Sequence, residues 1–198
     1  MKKIIVPIIF IILVLAVMIG SCFLPFSTPD NAKSQYFCDV HPMALKLDID
    51  IEDMDGNKIY NVDGEYFSKY EDNLVMLDQN KEIVREMADD YNFITQNDHS
   101  ILDGNGILYA MEGNLSFIGN SYNVYNNEKE LVGSIHFDFW LAHATLKNVD
   151  GEVIAQYDSN PARADYIISI MDNCEIDDDS VLMMFASGYS DARSDSSD

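Results

Sequence analysis

The chain has 198 residues, 34 Asp and Glu against 12 Lys and Arg, a formal net charge of −22, and 47% hydrophobic residues. That charge excludes nucleic acid as a partner, because phosphate binding runs on clustered Lys and Arg that release counterions, and the sequence holds no such cluster. The apolar content excludes wholesale disorder and suffices for one anchor and one domain of ordinary size.

Lys2 and Lys3 lead into an apolar run from Ile4 to Gly20, followed by Ser21-Cys22-Phe23-Leu24-Pro25-Phe26. About 20 apolar residues cross a bilayer, so residues 1–26 read as an N-terminal transmembrane anchor. The two lysines keep its start in the cytoplasm and send the rest of the chain outward. The alternative is a signal helix. Ile19-Gly20-Ser21-Cys22 resembles a bacterial lipobox, which makes Cys22 a lipidation candidate. Phe23, standing where such signals carry a small or polar residue, favours the uncleaved anchor. The expected location is the cell membrane, single pass with the C-terminal domain extracytoplasmic, or lipid-anchored through Cys22.

Residues 27–41, with Pro29, Asp30, Asn31, Ser34 and Gln35, read as a tether, residues 42–192 as one domain, and residues 193–198 as a disordered tail. Within the domain, Ala44–Ile51 alternates apolar and polar, placing Leu45, Leu47, Ile49 and Ile51 on one face of a half-buried strand. Strands are then predicted at 58–62, 65–68, 74–77, 82–87, 107–112, 116–118, 121–125, 131–140, 144–147, 152–158 and 165–172. Short turns separate many of them. Asp55-Gly56, Asp78-Gln79-Asn80-Lys81, Asn126-Asn127 and Asp150-Gly151 each hand over to a β-branched or leucine strand start. Hairpins repeated in this way build an up-and-down barrel, which removes sheet edges by closing on itself.

The chain then changes character. Asp177-Asp178-Asp179-Ser180 opens the run Val181-Leu182-Met183-Met184-Phe185-Ala186. The acidic residues suit a helix N-terminus, with Asp179 or Ser180 expected as the cap. Six consecutive apolar positions cannot form one stripe, so a helix near 177–190 must be enclosed on every side. The predicted fold is mainly β: a closed antiparallel β-barrel of about twelve strands around a C-terminal hydrophobic α-helix, preceded by the N-terminal transmembrane or signal helix.

Candidate chemistry is sparse. Cys38 and Cys174 lie before the first strand and the last helix, and an exported domain permits them to form a disulfide, or both are small buried residues. Asp48 and Asp50 share a strand face beside Glu52, Asp53 and Asp55. An EF-hand fails there, since aligning Gly56 to its sixth position puts Ile51 first and Val62 last. A looser calcium site or solvated carboxylates remain. His136 and Asp138 share a face with Trp140, with His143 after a bend, but neither zinc-type His spacing nor a nucleophile motif is present. No catalytic residue, metal ligand or cofactor is therefore assigned.

The run Gly56–Ser68, the following Asn73–Ile83, the stretch Gly133–Trp140, the segment Lys147–Ala155 and the terminal Asp-rich helix together resemble the LURP-one-related group of tubby C-terminal-like proteins. The resemblance covers roughly residues 43–192 and implies a closed barrel with its C-terminal helix threaded through it. Relatives in that superfamily include phosphoinositide-binding tubby proteins and phospholipid scramblases, but this chain lacks the basic residues that grip phosphate. The expected function is a non-catalytic, membrane-anchored extracytoplasmic binding or structural module, partnered by an unknown protein, cell-wall or lipid ligand. The alternative is phospholipid binding or lipid transfer at the membrane surface, assisted by calcium. A metal-dependent enzyme using His136, Asp138 and His143 is the third.

Overall fold

The computed structural model describes residues 29–41, 46–64, 73–90, 98–114, 120–138, 141–159 and 165–195. Twelve antiparallel strands close into a barrel in chain order: β1 (Ala32–Val40), β2 (Asp48–Asp53), β3 (Lys58–Gly64), β4 (Leu74–Leu77), β5 (Ile83–Asp90), β6 (Asp98–Asp103), β7 (Gly106–Asn114), β8 (Ser121–Asn126), β9 (Leu131–Phe137), β10 (His143–Asn148), β11 (Val153–Ser159) and β12 (Tyr166–Met171). A single described helix, α1 (Asp178–Asp195), follows. It extends past the expected end at residue 190 and takes in part of the segment read as a disordered tail. The predicted strands at 65–68 and 116–118, the end of the one at 131–140, and the whole of residues 1–26 lie outside the described residues.

Two strands escaped the pattern for the same reason. Residues 32–40 were expected as part of a tether, yet β1 closes the barrel, pairing Ser34–Cys38 with Ile170–Tyr166 on one side and Tyr36–Val40 with Asp53–Ile49 on the other. Ser34 and Tyr36 share the inward face with the buried Cys38 and Val40, so the alternation lacks an apolar half. Likewise β6 places His99 beside Ile101 on the buried face. A polar residue directed inward looks like loop sequence until its partner is known.

One end of the barrel is built from a repeated turn. In Asp53–Asn57, Asp78–Glu82, Asn126–Glu130 and Asn148–Glu152, the first residue's carbonyl accepts from the N–H three places on and its own N–H donates to the carbonyl four places on. Its side-chain Oδ1 also accepts from the backbone N–H groups two and four places on. The fourth position is left-handed: Gly56 at φ 82°, Lys81 at 65°, Lys129 at 64° and Gly151 at 82°. Each turn is flanked by a register shift in its ladder, the signature of a hairpin with a bulge. Asp103 caps the shorter turn between β6 and β7 in the same manner.

The core is the inner face of the barrel wrapped on α1. Every residue from Ser180 to Tyr189 is buried. Phe185 meets Phe137 edge-on at 6.0 Å, and Tyr157 and Tyr166 lie 4.5 Å apart beside Tyr189. The helix passes the wall closely at Gly188, where a Cβ would come within 2.2 Å of the Phe137 ring. Gly188→Ala is therefore expected to lower stability by about 1–3 kcal/mol through overpacking, read from denaturant midpoints, with much of the loss recovered in the double variant Gly188→Ala, Phe137→Leu.

Candidate functional site

Three consecutive carboxylates hold the mouth of the helix, each to a different strand. Asp177 is the N-cap, its Oδ1 accepting from the Ser180 N–H at 2.9 Å, so the cap falls two residues before Asp179. The same oxygen takes a bond from Arg85 Nη2 of β5 at 2.8 Å, while Arg85 Nε donates to Ser180 Oγ and Nη1 to the Val84 carbonyl. Asp178 turns to β1, accepting from Ser34 Oγ at 2.5 Å and Tyr36 OH at 2.9 Å, with Lys33 Nζ at 3.0 Å. Asp179 is hydrogen-bonded by Tyr60 of β3. Burial pushes the Asp178 carboxyl up, but the Ser34, Lys33 and Tyr36 donors outweigh it and hold the group below the usual carboxylate range. Burial first, then the Asp179 carboxylate, push the Tyr60 phenol up to about 12.

At the opposite end of α1, Asp191 accepts from Tyr122 OH of β8 and lies 2.7 Å from His99 Nε2 of β6. The helix is thus pinned at both ends by carboxylates, and its polar groups face the strands that enclose it.

The outer wall carries a second polar cluster across β1, β2 and β3. His41 Nδ1 lies 2.9 Å from Asp48 Oδ2, with Asp39 and Asp50 near its other nitrogen. Asn61 Nδ2 donates to both Asp48 and Asp50 at 2.8 Å, and Lys58 pairs with Asp50. The hydrogen bond to Asp48 raises the His41 pKa above its ordinary 6.5. Alongside runs an open concavity of about 440 Å³ lined by Lys58, Ile59, Asn61, Leu77, Gln79 and Lys81 among others. It forms because β4 pairs only with Asn61–Gly64, leaving the start of β3 without a strand on that side. Gln79 Nε2 fills part of the gap by donating to the Lys58 carbonyl at 2.8 Å. The groove presents ammonium, carboxylate, amide and apolar groups side by side.

The residues singled out in sequence are dispersed. His143 bonds Asp158 at 2.8 Å rather than meeting His136, which is exposed on β9. Asp138 caps the β9–β10 turn, accepting from the Ala142 N–H at 2.8 Å. Trp140 lies outside the described residues, as does Cys22. Asp48 and Asp50 share a face as expected, but their oxygens accept from His41, Asn61 and Lys58. Among the described residues no group of three or more His, Cys, Asp or Glu is placed to hold a metal ion.

Cys38 and Cys174 are both buried free thiols, not a disulfide. Cys38 lies opposite Tyr166 at the start of β12, whereas Cys174 follows the strand's other end at Met171. Five residues of strand, roughly 17 Å, separate those points, far beyond the Cα spacing a bridge allows. Burial pushes both thiols up, and Cys174 Sγ donates to the Ile176 carbonyl. The helix-clamping residues Arg85, Tyr36, Ser34, His99 and Tyr122 carried no signal in the sequence, because each sits on a strand far from its partner in the chain.

No protein-family pattern matches this chain, and no curated protein does. Among solved structures it is similar to the X-ray structure of a protein from Arabidopsis thaliana, AT5G01750, with 14% sequence identity and a TM-score of 0.53 over 81% of this chain and 91% of that one. The likeness is one of fold.

Two titrations follow from the geometry. Asp178 has a folded pKa below its ordinary 3.8, so its contribution is present above that value and lost as pH falls through the lower folded one. Asp178→Ala is expected to cost about 1.5–3 kcal/mol at neutral pH, and the loss should shrink as pH falls below 3.8 in chemical denaturation. His41 has the opposite sign: its contribution is full below 6.5 and is lost as pH rises through the raised value. Being largely exposed, it is worth under about 1 kcal/mol. His41→Ala should flatten the stability profile above pH 6.5 and also weaken the acid limb, because burial pushes the Asp48 carboxyl up and His41 is the foremost donor holding it below its ordinary range.

Proposed function

We propose that this chain is a LURP-one-related, tubby C-terminal-like barrel serving as a membrane-anchored extracytoplasmic binding or structural module, without catalysis of its own. The observation that carries the reading is the buried helix: Ser180–Tyr189 fill the barrel axis, which leaves recognition to the outer wall and the two ends. The hairpin stretches at 56–68, 73–83, 133–140 and 147–155 support the family, and the apolar run from Ile4 to Phe26 supports the anchor. Among the described residues no helix is long and apolar enough to cross a membrane, so the anchor is assigned to residues 1–26 on sequence alone.

Phospholipid binding is the second reading, favoured by the exposed apolar side chains gathered at one end of the barrel. A helix-filled axis leaves no room there for an acyl chain, which favours contact with a lipid surface over carriage of single lipids.

Membranes from cells making the full chain, washed in alkaline carbonate, are expected to retain it in the pellet. Cys22→Ser should leave retention and chain length unchanged for an uncleaved anchor, and should block processing for a lipid-anchored one. Release of the unsubstituted chain into the wash would overturn the reading.

A further inference from the structure

Every exposed large apolar side chain among the described residues, namely Met54, Ile83, Ile107, Leu131 and Val149, lies at the same end of the barrel. They are distributed one to a hairpin. Met54 and Val149 are the second residues of the β2–β3 and β10–β11 turns, and Ile83, Ile107 and Leu131 immediately follow the β4–β5, β6–β7 and β8–β9 turns. Their exposures run from 47% to 62%. Single apolar residues scattered over a surface need no explanation, but one on each of five adjacent hairpin tips makes a patterned rim.

The chain itself enters at that end. Ala32, the first residue of β1, sits opposite Met171, and β1 runs from there toward the other end of the barrel. The apolar run Ile4–Phe26 stops just short of Ala32 in sequence, and the connection through residues 27–31 spans at most about 20 Å. An anchored barrel therefore keeps this rim within that reach of the bilayer.

We propose that the rim formed by Met54, Ile83, Ile107, Leu131 and Val149 docks on a neutral phospholipid surface, seating these side chains at the boundary of headgroups and acyl chains. The charge on the same turns selects the lipid. Asp55, Glu82, Glu128, Glu130, Asp150 and Glu152 outnumber the exposed Lys58, Lys81 and Lys129 at these turns, and the net negative charge repels anionic headgroups, so the favoured surface is zwitterionic. The proposal rests on the anchoring reading above and names the face of the domain that meets the membrane.

The test uses the full chain reconstituted in phosphatidylcholine vesicles, with Ile107→Cys or Val149→Cys carrying an environment-sensitive fluorophore. His143→Cys, exposed at the other end, is the control. Cys38 and Cys174 are buried, and the unsubstituted chain supplies the background from Cys22. The expected result is blue-shifted emission from both rim positions, quenched by phosphatidylcholine brominated on its acyl chains, with the His143→Cys probe unshifted. If the chain floats with the vesicles but the rim probes stay as accessible to aqueous iodide as the control, the docking proposal falls and the anchor stands. A blue shift without quenching by brominated chains assigns the rim to a protein contact and also overturns it. If the chain fails to float at all, the anchoring reading falls and the docking with it.

Discussion

A helix buried on every side has no face left for water, and most of this structure follows from that demand. Ser180 to Tyr189 are enclosed without interruption, so the sheet must run fully around them and leave no edge. The polar ends of the same helix then become the problem, since unpaired backbone N–H groups and carboxylates at its mouth would be costly to bury. Asp177, Asp178 and Asp179 answer it by engaging β5, β1 and β3, and Asp191 by engaging β6 and β8. These contacts orient the helix in the barrel as well as neutralising its ends.

One end of the barrel is fully described. Five tight hairpins, each opened by an Asp or Asn that accepts two backbone N–H bonds, form the end where β1 begins and the helix enters. Donors at these turns hold Asp53, Asp78 and Asp103 below the usual carboxylate range, so part of the acidity there belongs to turn chemistry. Backbone economy of this sort keeps the tips short and places one exposed apolar side chain on each. The outer wall by contrast is a mosaic of paired charges, with Asp48 and Asp50 satisfied by neighbouring strands.

The fold was largely legible because its signals are local. Alternation along β2, Asx and Gly turns at regular spacing, and an apolar run opened by three aspartates are each contained within a few residues, and together they imply a closed barrel around a helix. The strands that failed to show, β1 and β6, carry Ser34, Tyr36 and His99 on their inner faces. Those polar residues only make sense once Asp178 and Asp191 stand opposite them, well over a hundred residues away in the first case and ninety-two in the second.

The sequence by itself determined the hairpin architecture, the enclosed helix and the sign of the surface charge, because each depends on neighbours in the chain. Tertiary structure decided the rest. It turned part of an apparent tether into the strand that closes the barrel, kept Cys38 and Cys174 apart along β12, scattered His136, Asp138 and His143, and gathered Met54, Ile83, Ile107, Leu131 and Val149 onto one rim. The physical reason is common to all four: each depends on which residues distant in sequence a closed antiparallel sheet brings to the same height on its wall.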